Sequence, residues 1–200
     1  MRPTITMKLL AAALLAATPL ASQADGLRIP FTGSLEGGGR VVVPGVPGVD
    51  YTADYRARCG GGPVLETEAA GTTSLLGLVD DFQSHCLLPP EVVGGQIVGL
   101  PFGNGRFRFT DTKGRYIEGE YRGKVTPTVA SKPPPAGSPP GTPPTGTWII
   151  EGEVCISGAS SQLHIANDCA ANRYFPARGV TDPLNGTATI FINQTIGIRW

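Results

Sequence analysis

Three pairs of glutamates stand two residues apart: Glu66 with Glu68, Glu118 with Glu120, and Glu151 with Glu153. Residues two apart share one face of a strand. Such a pair can do general acid/base work only if that face turns inward and the two environments separate the pKa values. The plainer reading is a solvated outer face, and Arg106 and Arg108 offer matching charges to Glu118 and Glu120. Asp80 and Asp81 are adjacent, so on a strand only one of them points inward. His85 is a conceivable base, but beside Cys86 in a loop-like segment it reads as a surface or packing group. The neighbouring Ser84 hydroxyl does not make a triad without geometry. His164 has no companion suggesting a ligand set. The chain lacks G-x-S-x-G, H-E-x-x-H, the phosphate-binding G-x-x-x-x-G-K-[ST] and a dinucleotide fingerprint after a strand. No catalytic residue, metal site or cofactor is therefore assigned.

The rest of the composition narrows the class. Of 200 residues, 28 are glycine and 19 proline, which leaves little room for long helices. Charged residues make up only 16%, with 16 basic against 16 acidic, so there is no nucleic-acid footprint. Arg2 and Lys8 precede an apolar run from Leu9 to Ala17, and Ser22-Gln23-Ala24 gives a small-x-small site. This reads as a signal peptide, residues 1–24, and an exported chain, periplasmic or extracellular. The run is too short for a membrane span of about 20 residues. Removing it takes two basic residues and no acidic ones, leaving 14 against 16 and a net charge of −2.

Four cysteines suit an oxidising compartment and permit three pairings. The sequence-local choice is Cys59 with Cys86 and Cys155 with Cys169, which enclose 26 and 13 residues. Each such staple is worth about 3 kcal/mol through the unfolded state. Their scatter, with only two histidines, argues against zinc.

Apolar residues recur at every second position in short runs bounded by Gly, Pro, Asn and Asp, which predicts an all-β chain. Strands are expected over Leu27 to Leu35, Arg40 to Val43, Val64 to Thr73, Leu75 to Gln83 and Gln96 to Leu100. Further strands are expected over Arg106 to Asp111, Arg115 to Val125, Gly146 to Ile156 and Gly186 to Ile198. That number suits a small closed antiparallel β-barrel of about eight strands, taken as one domain over residues 25–200. Seven prolines and three glycines crowd residues 131–146, an exposed proline-rich loop between two strands.

One hairpin can be read in register. Thr112-Lys113-Gly114 forms a three-residue loop, with Gly114 at the left-handed position. Pairing Asp111 with Arg115 then sets Arg108 opposite Glu118 and Arg106 opposite Glu120, while Phe109 faces Ile117 and Phe107 faces Gly119. One face is charged and the other apolar. A two-residue loop would mix polarity on both. Phe107, Phe109, Ile117 and Tyr121 are accordingly the candidate lining of an interior cavity.

Several segments resemble a known family. They are Gly71-Thr72-Thr73-Ser74-Leu75-Leu76-Gly77, Ser84-His85-Cys86, the run from Asn104 to Asp111, Gly119-Glu120-Tyr121-Arg122-Gly123, and Asn185 to Ile190. Their order is similar to exported bacterial proteins with an allene oxide cyclase-like barrel, related to dirigent proteins. The chain departs from that pattern at Leu75, where histidine is frequent, and in its Asp-Thr-Lys-Gly turn. Cys155 to Cys169 also replaces a glycine-rich segment. The resemblance implies a fold, and fold alone does not supply chemistry.

These observations favour an exported, disulfide-stapled barrel acting as a noncatalytic binding or structural module that holds a small apolar ligand. A cyclase or isomerase of the allene oxide cyclase or dirigent type is the alternative, requiring at least one inward carboxylate or histidine. A small outer-membrane barrel is the third reading, because Ile190, Ile192, Ile196, Ile198 and Trp200 alternate to an aromatic end. Only 7% aromatics and interrupted strands count against it. No nucleic-acid partner is expected, and the oligomeric state is left open. Export should leave a mature chain beginning at Asp25, checked by intact-mass measurement of the protein recovered from the secretory compartment.

Overall fold

Nine strands and one short helix make up the regular structure of the computed structural model. It describes residues 27–128, 131–132, 136–138, 144–182 and 185–198. The expected signal peptide, residues 133–135 and 139–143 of the proline-rich loop, and Trp200 lie outside the described residues. The strands are β1 (Arg28–Val42), β2 (Val64–Thr73), β3 (Gly77–Leu87), β4 (Glu91–Val93), β5 (Gln96–Asp111), β6 (Tyr116–Pro127), β7 (Trp148–Ala159), β8 (Phe175–Asp182) and β9 (Thr187–Gly197). Helix α1 (Ala53–Cys59) links β1 to β2. Each large strand pairs antiparallel with the next, β3 pairs with β5, and β9 returns to β1. Eight strands thus close an antiparallel barrel, with β4 a short hairpin partner on β5 alone.

Closure depends on glycine at inward positions. A Cβ at Gly71 would lie 2.0 Å from the Ser34 carbonyl oxygen, and one at Gly119 would lie 2.0 Å from that of Cys155. The strands there approach too closely for any side chain. Aromatic rings of neighbouring strands cover three of these bare positions: Phe107 over Gly119, Phe102 over Gly123, and Tyr121 over Gly105. The same constraint explains one departure from the sequence reading. Two strands were expected across Gly37-Gly38-Gly39, but β1 runs through them unbroken, because Gly37 and Gly39 face inward against the Glu68 and Glu66 carbonyls.

A second pair of expected strands also fuses, into β5. At Gly103-Asn104-Gly105 the register shifts by one residue against both β3 and β6, and Asn104 takes φ 49°. This is a β-bulge, and it changes which residues face inward. Phe102 and Phe107 are five apart and would face opposite ways on a regular strand. The bulge turns both inward. Strand β8 was not anticipated, since Pro176 and Gly179 weaken its signal. Pro176 is tolerated because β8 pairs with β7 from Phe175 but with β9 only from Arg178, so its nitrogen faces no ladder partner on that side.

The hairpin forms in the expected register, with the Gly114 amide donating to the Asp111 carbonyl at 2.9 Å and Gly114 at φ 76°. Asp111 also accepts from the Lys113 and Arg115 amides and from the Arg115 side chain. The three glutamate pairs all lie on the outer face, opposite in register to the inward residues. Ion pairs cross that face, including Arg122 with Glu153 at 2.9 Å and Arg108 with Glu118 at 3.8 Å. Arg106 stands opposite Glu120 but pairs with Asp54 of α1 at 2.7 Å. These ion pairs make the outer wall polar over β5 to β7, whereas Leu78, Phe82, Ile149, Val180 and Phe191 are exposed apolar residues at other outward positions.

Helix α1 was missed, although its signals are present. Thr52 caps the Tyr55 amide, and Gly60 ends the helix in the left-handed conformation. Tyr55 buries its ring against Val42 and Val64, and its hydroxyl donates to Glu66 at 2.5 Å. Burial and that carboxylate raise the Tyr55 phenol to about 12. Disulfides join Cys59 to Cys86 and Cys155 to Cys169, the two sequence-local pairings, and the first ties α1 to β3. If inward glycines govern closure, Gly119→Val should cost about 3 kcal/mol or more. Gly38→Ala, outward with only the Gly186 carbonyl oxygen at 3.3 Å, should stay within about 1 kcal/mol by urea denaturation.

Candidate functional site

The closed half of the barrel is filled. Phe31, Leu35, Leu76, Val79, Ile117, Ile156 and Ile196 pack there with Phe107 and Phe109, each nearly or wholly buried. Toward the other end the inward positions shrink to Gly39, Gly152, Ala177, Gly179 and Ala188, and a cavity of about 380 Å³ remains. That volume lies within the ~300–1,000 Å³ usual for small-molecule sites. Val41, 55% exposed, marks the open end, and Leu65, Leu87, Leu100, Val125 and Ile150 continue the apolar wall there.

Of the four expected lining residues, Phe107, Phe109 and Tyr121 border this cavity. Ile117 also points inward, opposite Phe109, but belongs to the packed cluster below and does not border the space. The reason is depth: Ile117 is the second residue of β6, next to the closed-end hairpin, where the inward side chains are large.

Polar groups converge on this apolar space from β3. Asp81, Gln83 and His85 alternate along the strand and all face inward, in order from the closed end to the mouth. Asp81 faces in and Asp80 is exposed. His85 lies on β3 and not in the loop-like segment expected; it packs inside the barrel, borders the cavity, and its Nδ1 is 2.8 Å from the Tyr121 hydroxyl. Phe102 stacks on His85 at 4.7 Å between ring centroids and meets Tyr121 at 5.8 Å. The bulge makes this cluster possible, since without it Phe102 would point outward. Sequence periodicity missed His85 because the β3 pairing also shifts there, between Ser84 and Cys86. The Asp81/Gln83/His85 alternation was the available signal.

Helix α1 holds the bulge from outside. The Arg58 guanidinium donates to the Asn104 carbonyl and, at 2.9 Å, to the Ser84 hydroxyl, while Asn104 Nδ2 donates to the Arg58 carbonyl at 2.8 Å. Asp54 fixes the same guanidinium at 2.8 Å.

The inward ionisable groups have shifted acidities, His85 and Tyr121 at the cavity itself and Asp81 deeper along β3, where it does not border the space. Asp81 is 2% exposed; its Oδ2 accepts from Gln83 Nε2, and its Oδ1 has no hydrogen-bond partner. Burial raises its carboxyl to about 7, against a smaller lowering by Gln83. Burial lowers His85 to about 4, helped by the nearby Arg58 charge. Tyr121 is raised by burial and by Asp81. Around neutral pH the cavity thus offers a neutral imidazole and a neutral phenol, with a carboxyl close to its midpoint buried beyond Gln83. Glu120, Cys155 and Cys169 bring potential ligand atoms within 4.8 Å, but both sulfurs are committed to the disulfide, which leaves no metal-binding thiolate. Comparison with known protein families, curated proteins and solved structures finds no match to this chain.

The two buried groups pull stability in opposite directions. Asp81 ionises at 3.8 when exposed and about 7 when folded, so the native state keeps a proton that the unfolded chain has lost. Its contribution therefore falls as pH rises from about 4 to about 7, then levels. His85 resists a proton that the unfolded chain takes up, so its contribution falls as pH drops from 6.5 to about 4. Asp81→Asn should thus gain on the wild type progressively between about pH 4 and 7, by an amount on the order of 4 kcal/mol. Urea midpoints across that range check it; a constant offset would refute the buried-acid account.

Proposed function

We propose that this chain is an exported barrel that binds a small apolar molecule in its interior, a binding module of the allene oxide cyclase-like kind. The observation that carries this reading is the cavity itself: apolar walls, an open end, and a few polar groups among them, including Gln83, His85, Tyr121 and Gln194. Such a distribution suits a ligand that is mostly hydrocarbon, oriented by one hydrogen-bonding end. The two disulfides agree with an oxidising, exported setting.

A cyclase or isomerase is the second reading, favoured by one observation: Asp81 is an inward carboxyl with a raised pKa, and His85 stands two inward positions away. Conversion of the bound molecule, slowed at least about a hundredfold in Asp81→Asn, supports that reading. Recovery of unchanged ligand by chromatography after long incubation with the wild type excludes it.

Filling the cavity tests the binding reading directly. Ala177→Trp and Ala188→Trp place bulky rings in the open half from neighbouring strands. Each should weaken binding of an apolar fluorescent probe at least about tenfold while leaving the far-UV dichroism unchanged. Equal binding by folded variants would place the probe elsewhere and overturn the proposal.

A further inference from the structure

The hydrogen bond between His85 and Tyr121 leaves one proton over. Both side chains border the cavity, and His85 Nδ1 lies 2.8 Å from the Tyr121 hydroxyl. Around neutral pH burial keeps the imidazole neutral and the phenol protonated, so the pair carries one N–H and one O–H. Whichever group donates, their mutual bond uses one of these and the other is free. Among the described residues neither side chain has a second hydrogen-bond partner. His85 Nε2 is not among the fully covered atoms that lack one, so it keeps surface open to the space. Gln83 and Gln194 also border the cavity, but their amide nitrogens already donate to Asp81 and to the Pro176 carbonyl. A buried donor is rarely left unpaired, whereas an acceptor with a spare lone pair is tolerated. The missing partner is therefore an acceptor. Arg122, Glu153 and Arg178 are the charged lining residues, and all three stand at outward register positions, Arg122 and Glu153 as an ion pair. The inward polar lining is uncharged.

We propose that the cavity selects an uncharged lipophile whose polar end is a ketone or ester carbonyl: the free proton of the His85–Tyr121 pair donates to the carbonyl oxygen, and the hydrocarbon body lies among Phe107, Phe109 and Ile192. This rests on the cavity being the ligand site and adds the chemistry of the ligand's polar end. Phe102 stacks on His85 at 4.7 Å and meets Tyr121 at 5.8 Å, so both rings are held and the donor is aimed before the ligand arrives. A hydrocarbon of the same shape fills the space but leaves that donor unpaired among apolar walls, which costs affinity.

Methyl nonyl ketone, the alkene in which a methylene group replaces its carbonyl oxygen, and decanoate separate the possibilities. Displacement of an apolar fluorescent probe from the mature chain measures all three. Replacing both members of the pair, His85→Phe with Tyr121→Phe, removes both protons and keeps two aromatic rings in place. The double variant should bind the ketone at least about tenfold more weakly while holding the alkene within about twofold. If that variant fails to fold, the wild type supplies an independent readout. The chain has only two histidines, and His164 does not border the cavity, so nitrogen NMR should show the ketone moving the His85 ring resonances more than the alkene does, with His164 unchanged. A ketone affinity that does not fall relative to the alkene in the folded variant, or His85 resonances indifferent to the ketone, overturns the carbonyl assignment while leaving the cavity reading intact. Decanoate binding more tightly than the ketone in both wild type and variant overturns it too, by placing the polar end at Arg122 or Arg178. Failure of the wild type to bind the probe or any of the three molecules removes the cavity reading beneath it.

Discussion

An eight-stranded sheet closes on itself only where its inner surface lets neighbouring backbones approach, and in this chain glycine supplies that freedom. Gly71 and Gly119 sit where a single carbon atom would strike the facing carbonyl. The distribution of bare positions then has a second effect. Near the hairpin end, large side chains such as Phe31, Leu35 and Ile117 fill the bore. Toward the mouth, Gly39, Gly152, Gly179 and two alanines leave it empty. The residues that bend the wall there also hollow it. Curvature and cavity are thus one design choice, made through absent side chains, and the hydrophobic burial that stabilises the barrel is concentrated at its other end.

The bulge at Asn104 sets the chemistry of the hollow half. It adds one residue to β5 against both neighbours, so Phe102 and Phe107 share the interior despite their odd spacing. Phe102 then supports His85, and His85 reaches Tyr121. Helix α1 belongs to this arrangement, not to the surface alone, because Arg58 grips the bulge while Asp54 fixes both Arg58 and Arg106. A left-handed asparagine is a strained choice, tolerated where surrounding bonds over-determine it.

The barrel was legible where alternation was clean. From Arg106 to Tyr121 the charges and aromatics had only one consistent register, and the fold adopts it. Alternation misled where the backbone itself departs from regularity. Gly37-Gly38-Gly39 read as a break because glycine disfavours isolated strands, yet the inner curve demands it. Gly103-Asn104-Gly105 read as a gap between strands, since a bulge inverts the parity on which the reading depends. The site suffered most from this. Asp81 could be narrowed to a choice between two neighbours, but which one faces inward follows from pairing with Ala69 and Phe109, long-range information that a single sequence does not hold.

The bond between Cys59 and Cys86 ends α1 on one side and adjoins His85 on the other. Its formation is therefore more than reinforcement of a finished barrel. The segment it encloses contains all of β2 and most of β3, the staves that carry the polar stripe. Oxidation fastens the helix to the wall at the stave next to the bulge, beside the hold that Arg58 has on Asn104. Among reductants that clasp is lost, and the hydrogen bonds of Arg58 and Asn104 with the packing of Tyr55 are what keep the helix in place.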